Sequence, residues 1–479
     1  MDRSGLDVTE PAGRGTGWAR LQLAVAVATE PMVLLCVVQL TVLAWRLPLF
    51  DRLPGWVFAT RAKTIGTAFY GVLAAIPLVA FGAAWVLRAR GALAVTCLVI
   101  GGFAFQHALG WSEGRGLEGI RDRIVHSGHA EFAEVAVAQR SMWSVLVRYE
   151  RKVQGGELGR YPHSKPPGTL LTYMATERIS RMFASSGSNE ARLQALRTTA
   201  AVAWPLVCYA ALFPLFAIVK RLRDEDTALL ACALYMVVPS VALVTLHTDQ
   251  FLFPLLGMLG IVLTVEAASR NSAPLSVVAG FWFWVAAFFT FPLILVAPVA
   301  LGCAWAGLRP TARTSAWMLA GFTTGFVVWR FGFGYDVFAR FADARRFNSI
   351  WKGWDGGAFQ TLYFAWMNLI EFILWVGIPV TALTSGRIRR AVQDLSAGEI
   401  SRFGMAAVAT LLAFSYLVFF GQSKGETARL WLFMVPFCCA LSADEIRFRW
   451  RASAPAIAAV VLALQWLTVV LTKTGQDFF

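Results

Sequence analysis

The chain is predicted to be an all-α polytopic membrane protein with about thirteen transmembrane helices, and three observations predict it. Of its 479 residues, 57% are hydrophobic and only 15% are charged, whereas a soluble domain carries about 25% charged residues. Apolar runs recur along the chain, each near the roughly 20 residues a helix needs to cross a bilayer. Basic residues gather in alternate short loops, as the positive-inside rule demands of cytoplasmic ones. The spans must be helical, because lipid offers no partner for backbone N–H and C=O groups.

Taken in order, residues 1–20 form a polar cytoplasmic tail with no cleavable signal, so the first span stays in place. Apolar runs near 21–47, 65–87 and 91–110 give the first three transmembrane helices within 21–110. Residues 111–196 form a long amphiphilic extracytoplasmic loop. About ten further helices occupy 197–479, from runs near 197–219, 227–246, 251–268, 274–290, 291–308, 314–331, 361–384, 403–420, 430–443 and 454–472, with an extracytoplasmic loop at 332–360. Phe291-Pro292 must supply the turn between two closely spaced runs, and Pro31 and Pro205 are expected to kink or end helices.

With the N-terminus inside, Arg88/Arg90, Lys220/Arg221/Arg223, Arg309/Arg313, Arg387/Arg389/Arg390 and Arg447/Arg449/Arg451 fall in cytoplasmic loops. Arg46, Arg52, Arg61 and Lys63 fall outside, against the rule. The net charge of +14 then reflects basic loops beside anionic lipid rather than a nucleic-acid partner. The seven Cys are scattered through mostly apolar runs with no zinc-type spacing, and read as small buried residues. Excess Arg over Lys, with abundant Ala and Gly, points to a bacterial inner membrane.

This orientation puts the unusual polar segments on the extracytoplasmic face. In the first long loop, Glu131 to Tyr149 carries apolar residues at helical spacing, the pattern of an amphipathic helix lying in the interface. Glu131 and Glu134 fall in its first turn, with His126 and His129 just before. Two carboxylates and two imidazoles so placed suit a general base, Glu131 with Glu134 and His129 in support, or a divalent metal held by His126, His129 and Glu131. Polar residues capping a helix give the same pattern. Glu113 and Asp122 are further candidate acids of this loop. Lys165 precedes Pro166-Pro167 at the start of a second surface helix, where a cation can meet a lipid phosphate or snorkel to the headgroups.

Later segments add substrate-binding candidates. Asp249 follows His247 at a span end. Arg345, Arg346, Lys352, Trp351, Trp354 and Asp355 combine cations with aromatic faces that can stack on sugar rings. Glu426 and Arg429 sit at i,i+3 spacing, suited to an ion pair on a helix or to a donor phosphate. Glu371 lies inside a span, where a carboxylate is a functional candidate or an interhelical hydrogen-bonding group.

The segment Tyr161-Pro162-His163-Ser164-Lys165-Pro166-Pro167-Gly168 resembles the Lys-Pro-Pro segment of the GT-C membrane glycosyltransferases, the group of the protein O-mannosyltransferases and the lipid A aminoarabinose transferases. The resemblance covers roughly residues 105–200 in motif and the rest in architecture only. It implies a GT-C-like fold with extracytoplasmic surface helices, a polyprenyl-phosphate sugar as donor, and roles in substrate binding for Tyr161, His163 and Lys165. The family's acidic motif is an Asp soon after the first span. Here the loop follows a third apolar run and its acids are Glu131 and Glu134, which leaves the base open.

The expectation is therefore an inverting glycosyltransferase that moves a sugar from polyprenyl phosphate to a hydroxyl of a glycan, lipid or protein acceptor. A transporter or flippase of lipid-linked or anionic substrates is the first alternative; it calls for internal repeats and polar residues at mid-membrane, whereas the polar residues here gather at one face. A lipid-linked oligosaccharide ligase or polymerase is the second.

Overall fold

The computed structural model describes residues 31–44, 50–58, 60, 63–126, 130–139, 141–183, 187–244, 249–354 and 356–475. Every element described in it is helical. The chain runs through α1 (Pro31–Ala44), α2 (Thr67–Val86) and α3 (Gly91–Trp111) into a group of shorter helices: α4 (Gly116–His126), α5 (Ala130–Ala138), α6 (Met142–Val147), α7 (Tyr149–Gln154) and α8 (Pro167–Arg181). It continues as α9 (Asn189–Ala210), α10 (Leu212–Leu222), α11 (Glu225–Met236), α12 (Phe253–Ser269), α13 (Ala273–Phe289), α14 (Val296–Cys303) and α15 (Leu308–Gly332). Then follow α16 (Val337–Trp351), α17 (Ala358–Val376), α18 (Ile378–Ser396), α19 (Arg402–Phe420), α20 (Thr427–Leu430), α21 (Val435–Arg449) and α22 (Ala454–Gly475).

Among the described residues, seven stretches are long and apolar enough to cross a bilayer: Thr67–Val86, Gly91–Trp111, Asn189–Leu222, Gln250–Ser269, Ala358–Val376, Arg402–Phe420 and Arg451–Gly475. Two shorter apolar helices, Ala273–Phe289 and Phe291–Cys303, meet at the Phe291-Pro292 turn. Thus seven of about thirteen expected runs form long apolar helices. Some of the others are interrupted: α11 stops at Met236, just before Pro239, and passes into a wider π-type turn over Ser240–Val244. The helices turn apolar side chains outward. Leu78, Val79 and Val86 of α2 are 52%, 69% and 79% exposed, a surface that lipid covers and water would not. Inside, α13 and α15 touch through glycines. A Cβ on Gly280 would meet the Met318 carbonyl at 1.8 Å, and one on Gly321 the Val277 carbonyl at 1.9 Å, the close approach that small residues give membrane helices.

The amphipathic stretch from Glu131 to Tyr149 is not one helix. It breaks after Ala138, and Ser141 caps the next helix by accepting the Ser144 N–H at 3.2 Å. A serine that can cap outcompetes helix continuation at this point. The second surface helix starts at Pro167, whose missing N–H costs nothing at a first position.

α12 and α19 each join two unlike ends of the molecule. The last turn of α12 carries Glu266, which receives Arg221 at 2.5 Å and also pairs with Arg270. The first turn of α19 carries Phe403, over which Arg223 and Arg387 lie at 4.9 and 5.6 Å from the ring centroid. Arg223 and Arg387 converge on Asp444 at 2.8 and 2.6 Å, and Arg390 and Arg449 meet Glu445 at 2.8 and 2.5 Å. At the opposite ends of these helices, about 26 Å away for the 17 residues of α12, Phe253 and Phe420 line a cavity.

Candidate functional site

The cavity has a volume of about 590 Å³ and is walled by the Tyr161–Pro166 segment, the start of α12, the Thr290–Leu295 turn, α16, the end of α19 and residues 421–431. Five cations stand in the lining, Lys165, Arg345, Lys352, Lys424 and Arg429. The same lining carries apolar side chains, with Phe253, Phe291, Ile294, Leu295, Phe341 and Phe420.

The segment that carries Lys165 is held from three sides. The Tyr149 hydroxyl lies 3.0 Å from the Lys165 carbonyl oxygen and 3.3 Å from that of Pro162. Behind it, Arg340 pairs with Glu150, its Nε donating at 3.0 Å, and Nη1 reaches the His163 carbonyl at 3.4 Å. Arg340 is 2% exposed; burial opposes its charge, and Glu150 more than offsets that, so its pKa stands above the ordinary value. From the third side, Glu131 accepts the backbone N–H of Arg160, and that of Tyr161 at 3.4 Å. Gly159 makes this approach possible: its φ is +77°, and a Cβ there would sit 1.9 Å from Glu131 Oε1. Just beyond Lys165, Thr169 Oγ1 donates to the Phe289 carbonyl at 3.2 Å, and a Cβ on Gly168 would meet the Phe288 carbonyl at 2.6 Å. The ammonium of Lys165 lies 5.3 Å from the Phe132 ring centroid.

α16 supplies the facing wall. Arg345, Asn348 and Trp351 line the cavity, and Arg160 stacks on Trp351 at 4.2 Å. Lys352, one residue past the helix, is largely buried. Burial lowers its pKa below the ordinary lysine value, Glu426 counters this, and Arg429 adds to it. The segment after α19 is tied to α17. Asn368 Nδ2 donates to the Ser423 carbonyl at 2.7 Å, and its Oδ1 accepts the Gly425 N–H at 3.0 Å. Glu371 accepts the Ala428 N–H at 3.1 Å, which puts it in an interhelical hydrogen bond. Lys424 donates to the Lys352 and Gly353 carbonyls at 2.6 and 2.8 Å.

Of the residues singled out in the sequence, the cavity brings together Tyr161, Lys165, Arg345, Trp351, Lys352, Glu426 and Arg429. Others stand apart from its lining. His163 stacks on Phe347 with centroids 5.2 Å apart, Arg346 is exposed, and Trp354 lies under Lys424 at 5.6 Å. Glu131 has the backbone role just given, and Glu134 is exposed to solvent. Asp122 pairs with Arg115, and Glu113 with Arg123, Lys473 and, at 3.6 Å, Lys63. His129, His247 and Asp355 lie outside the described residues, as do the side chains of His126 and Asp249; Asp249 opens the turn beside the cavity-lining Gln250. Among the described residues no group of three or more His, Cys, Asp or Glu side chains is arranged to hold a metal. Sequence reasoning missed Tyr149, Glu150, Arg340 and Asn368. Tyr149 ends the Glu131–Tyr149 stretch and Glu150 follows it, but Arg340 acts on a segment about 180 residues away, and no local pattern announces such a contact.

A cavity so lined can gather an anion against several cations while apolar groups of the same substrate lie against its apolar side chains. No protein-family model matches the chain, and no curated protein matches it. Among solved structures, an oligosaccharyltransferase from Archaeoglobus fulgidus, described as its complex with Zn and sulfate, is similar at a TM-score of 0.40 and 13% identity. The match covers 66% of this chain, which spans 44% of the length of that protein.

Proposed function

We propose that the chain is a membrane glycosyltransferase that transfers a sugar from a polyprenyl-phosphate donor to an acceptor hydroxyl on the extracytoplasmic side, with inversion at the anomeric carbon. The observation that carries this reading is a cavity whose lining combines Lys165, Arg345, Lys352 and Arg429 with many apolar side chains. A lipid-linked phosphate has both characters. The resemblance of Tyr161–Gly168 to the Lys-Pro-Pro segment of GT-C enzymes supports the choice of sugar transfer among reactions at a lipid phosphate. The acceptor is a glycan, a lipid or a protein.

In this reading Lys165, Arg345, Lys352 and Arg429 bind the phosphate and offset the charge that grows on its bridging oxygen as the sugar leaves. Tyr161 and Trp351 offer rings for the sugar. Glu131 has a positioning role, holding the Tyr161 turn through the N–H groups of Arg160 and Tyr161. The cavity lies at one end of α12 and α19, and the end that carries Arg223, Arg387, Arg390 and Arg449 lies at the other. Basic residues at that second end support a cytoplasmic assignment for it and an extracytoplasmic one for the cavity. A bacterial inner membrane is the proposed location.

Mass spectrometry of envelope glycans and lipids from cells lacking the protein tests the proposal. The expected result is loss of one sugar modification with accumulation of the matching polyprenyl-phosphate sugar. Unaltered glycans and lipids would count against any transferase. If the purified protein in vesicles moves a fluorescent prenyl-phosphate sugar between leaflets without consuming it, a flippase replaces the transferase.

A further inference from the structure

Glu426 is a carboxylate of the cavity lining and stands between two of its cations. Its Oε1 is 2.8 Å from Arg429 Nη2, and its Oε2 is 3.7 Å from Lys352 Nζ. The backbone at Glu426 is left-handed, with φ +64°, a conformation disfavoured for any residue with a Cβ. Neighbouring bonds hold it there: Asn368 grips Ser423 and Gly425, Glu371 grips Ala428, and Lys424 is tied to the turn after α16. Backbone strain of this kind persists only where the surroundings fix it, and it gathers at functional sites. The loop is fixed, then, while the Glu426 carboxylate projects between two cations in the cavity.

We propose that the Glu426 carboxylate is a built-in surrogate for the substrate phosphate. In the ligand-free protein it neutralises Lys352 and Arg429, whose charges would otherwise stand together in a poorly solvated wall. The donor's phosphodiester matches the carboxylate in charge and in free oxygens, and the further cations Lys165 and Arg345 of the lining let it displace the carboxylate. The released carboxylate stays in the cavity and takes the proton of the acceptor hydroxyl. That second half rests on the glycosyl-transfer reading. The acceptor O–H bond breaks with its proton passing to Glu426, and the acceptor oxygen bonds to the anomeric carbon. The bond from that carbon to the phosphate oxygen breaks, and its electron pair stays on the oxygen held by Lys352 and Arg429. Binding of the donor thereby frees the base, so the reaction cannot begin on an empty phosphate seat.

The test uses the full chain in lipid nanodiscs. Binding of inorganic phosphate and of farnesyl phosphate is followed by tryptophan fluorescence, since Trp351 and Trp431 line the cavity. Glu426→Gln is expected to bind inorganic phosphate about tenfold tighter than the natural protein, because its internal competitor is gone, while sugar transfer falls at least about 100-fold, the usual loss for a proton-transfer group. Equal or weaker phosphate binding in Glu426→Gln, or no binding by either protein, overturns the surrogate. Tighter binding with normal turnover overturns the role in proton transfer. If inorganic phosphate binds tighter but neither protein takes farnesyl phosphate or turns over a sugar donor, the surrogate stands and the glycosyl-transfer reading fails. Should Glu426→Gln not fold, Lys352→Met decides: phosphate binding must weaken about tenfold, and unchanged binding refutes the seat.

Discussion

Lys165 owes its place to what surrounds its backbone more than to its own contacts. The proline pair that follows it stops the chain from winding early and starts α8 at Pro167. The carbonyl of Lys165 is met by Tyr149, and the turn before it is held by Glu131. Lys165→Ala is expected to leave insertion and folding intact and to weaken donor use roughly 10- to 150-fold, from about 1.5–3 kcal/mol for one charged hydrogen bond. A purified transfer assay over a range of donor concentrations checks this, and an unchanged donor dependence removes Lys165 from the site. Glu113 gives a pH prediction on the same face. Burial alone would raise its pKa; Lys473 and Arg123 overcome burial and hold it down at about 2, from an ordinary value of 4.5. A folded-state pKa below the unfolded value adds stability that is present above about 4.5 and lost as the pH falls toward 2. The melting temperature of the natural protein should therefore drop across that window more steeply than that of Glu113→Gln; equal slopes would show that Glu113 contributes nothing there. At this scale the sequence made some residues legible and hid the work of others. Lys165 stood out by its rarity and its prolines. Glu131 stood out equally, but its two oxygens serve backbone N–H groups about 30 residues away, and spacing alone cannot tell a base from a backbone brace.

α16 couples two tasks on one short helix. Arg340, near its start, is locked to Glu150 of α7 and to the His163 carbonyl. Arg345, Asn348 and Trp351, up to three turns later, form the cavity wall. The wall and the Lys165 segment therefore keep one spacing for as long as the Arg340–Glu150 pair holds. Glu150→Gln leaves the buried guanidinium with only the exposed Asp343 carboxylate at 3.8 Å, at a cost below the ~3–5 kcal/mol of fully buried pairs because Glu150 is itself partly exposed. We expect a lower melting temperature and weaker phosphate binding together. The double variant Glu150→Gln with Arg340→Met should recover much of the stability but not the binding, because no charge is then stranded while the tie to His163 stays broken. Recovery of both would mean that the pair stabilises without positioning. The sequence announced α16 only as a loop with cations and aromatics between two apolar runs. Its helix begins where Asp336 accepts the Phe338 and Ala339 N–H groups at 3.0 Å, a cap that is readable in hindsight. The Glu131–Tyr149 stretch erred the other way: apolar periodicity suggested one helix, and the Ser141 cap divides it. Periodicity records which residues share a face and says little about where a helix stops.

At the scale of the whole molecule, composition and apolar runs were enough to reach an all-helical membrane protein, because a bilayer enforces both. Run length was a poorer guide to individual helices, since prolines and π-type turns interrupt them without altering hydropathy, as at Val237–Val244. The two unlike ends of the bundle carry the remaining prediction. If the Arg223–Arg387–Arg390 network faces the cytoplasm, a membrane-impermeant maleimide added to intact cells should label a cysteine at Glu190, which is exposed on the cavity side, and not one at Glu399, which is exposed just before α19. Background from the natural thiols should be low, because six of the seven cysteines are buried and Cys97 is partly so. Permeabilised cells should label both positions and so show that each is reachable. Labelling of Glu399→Cys but not Glu190→Cys in intact cells would invert the molecule. The cavity would then open to the cytoplasm, where sugar nucleotides are at hand, and a lipid-linked donor would no longer be required. On the proposed glycosyl-transfer reading, a basic network inside and a cation-lined cavity outside would leave a lipid carrier as the way for an activated sugar to reach Lys165.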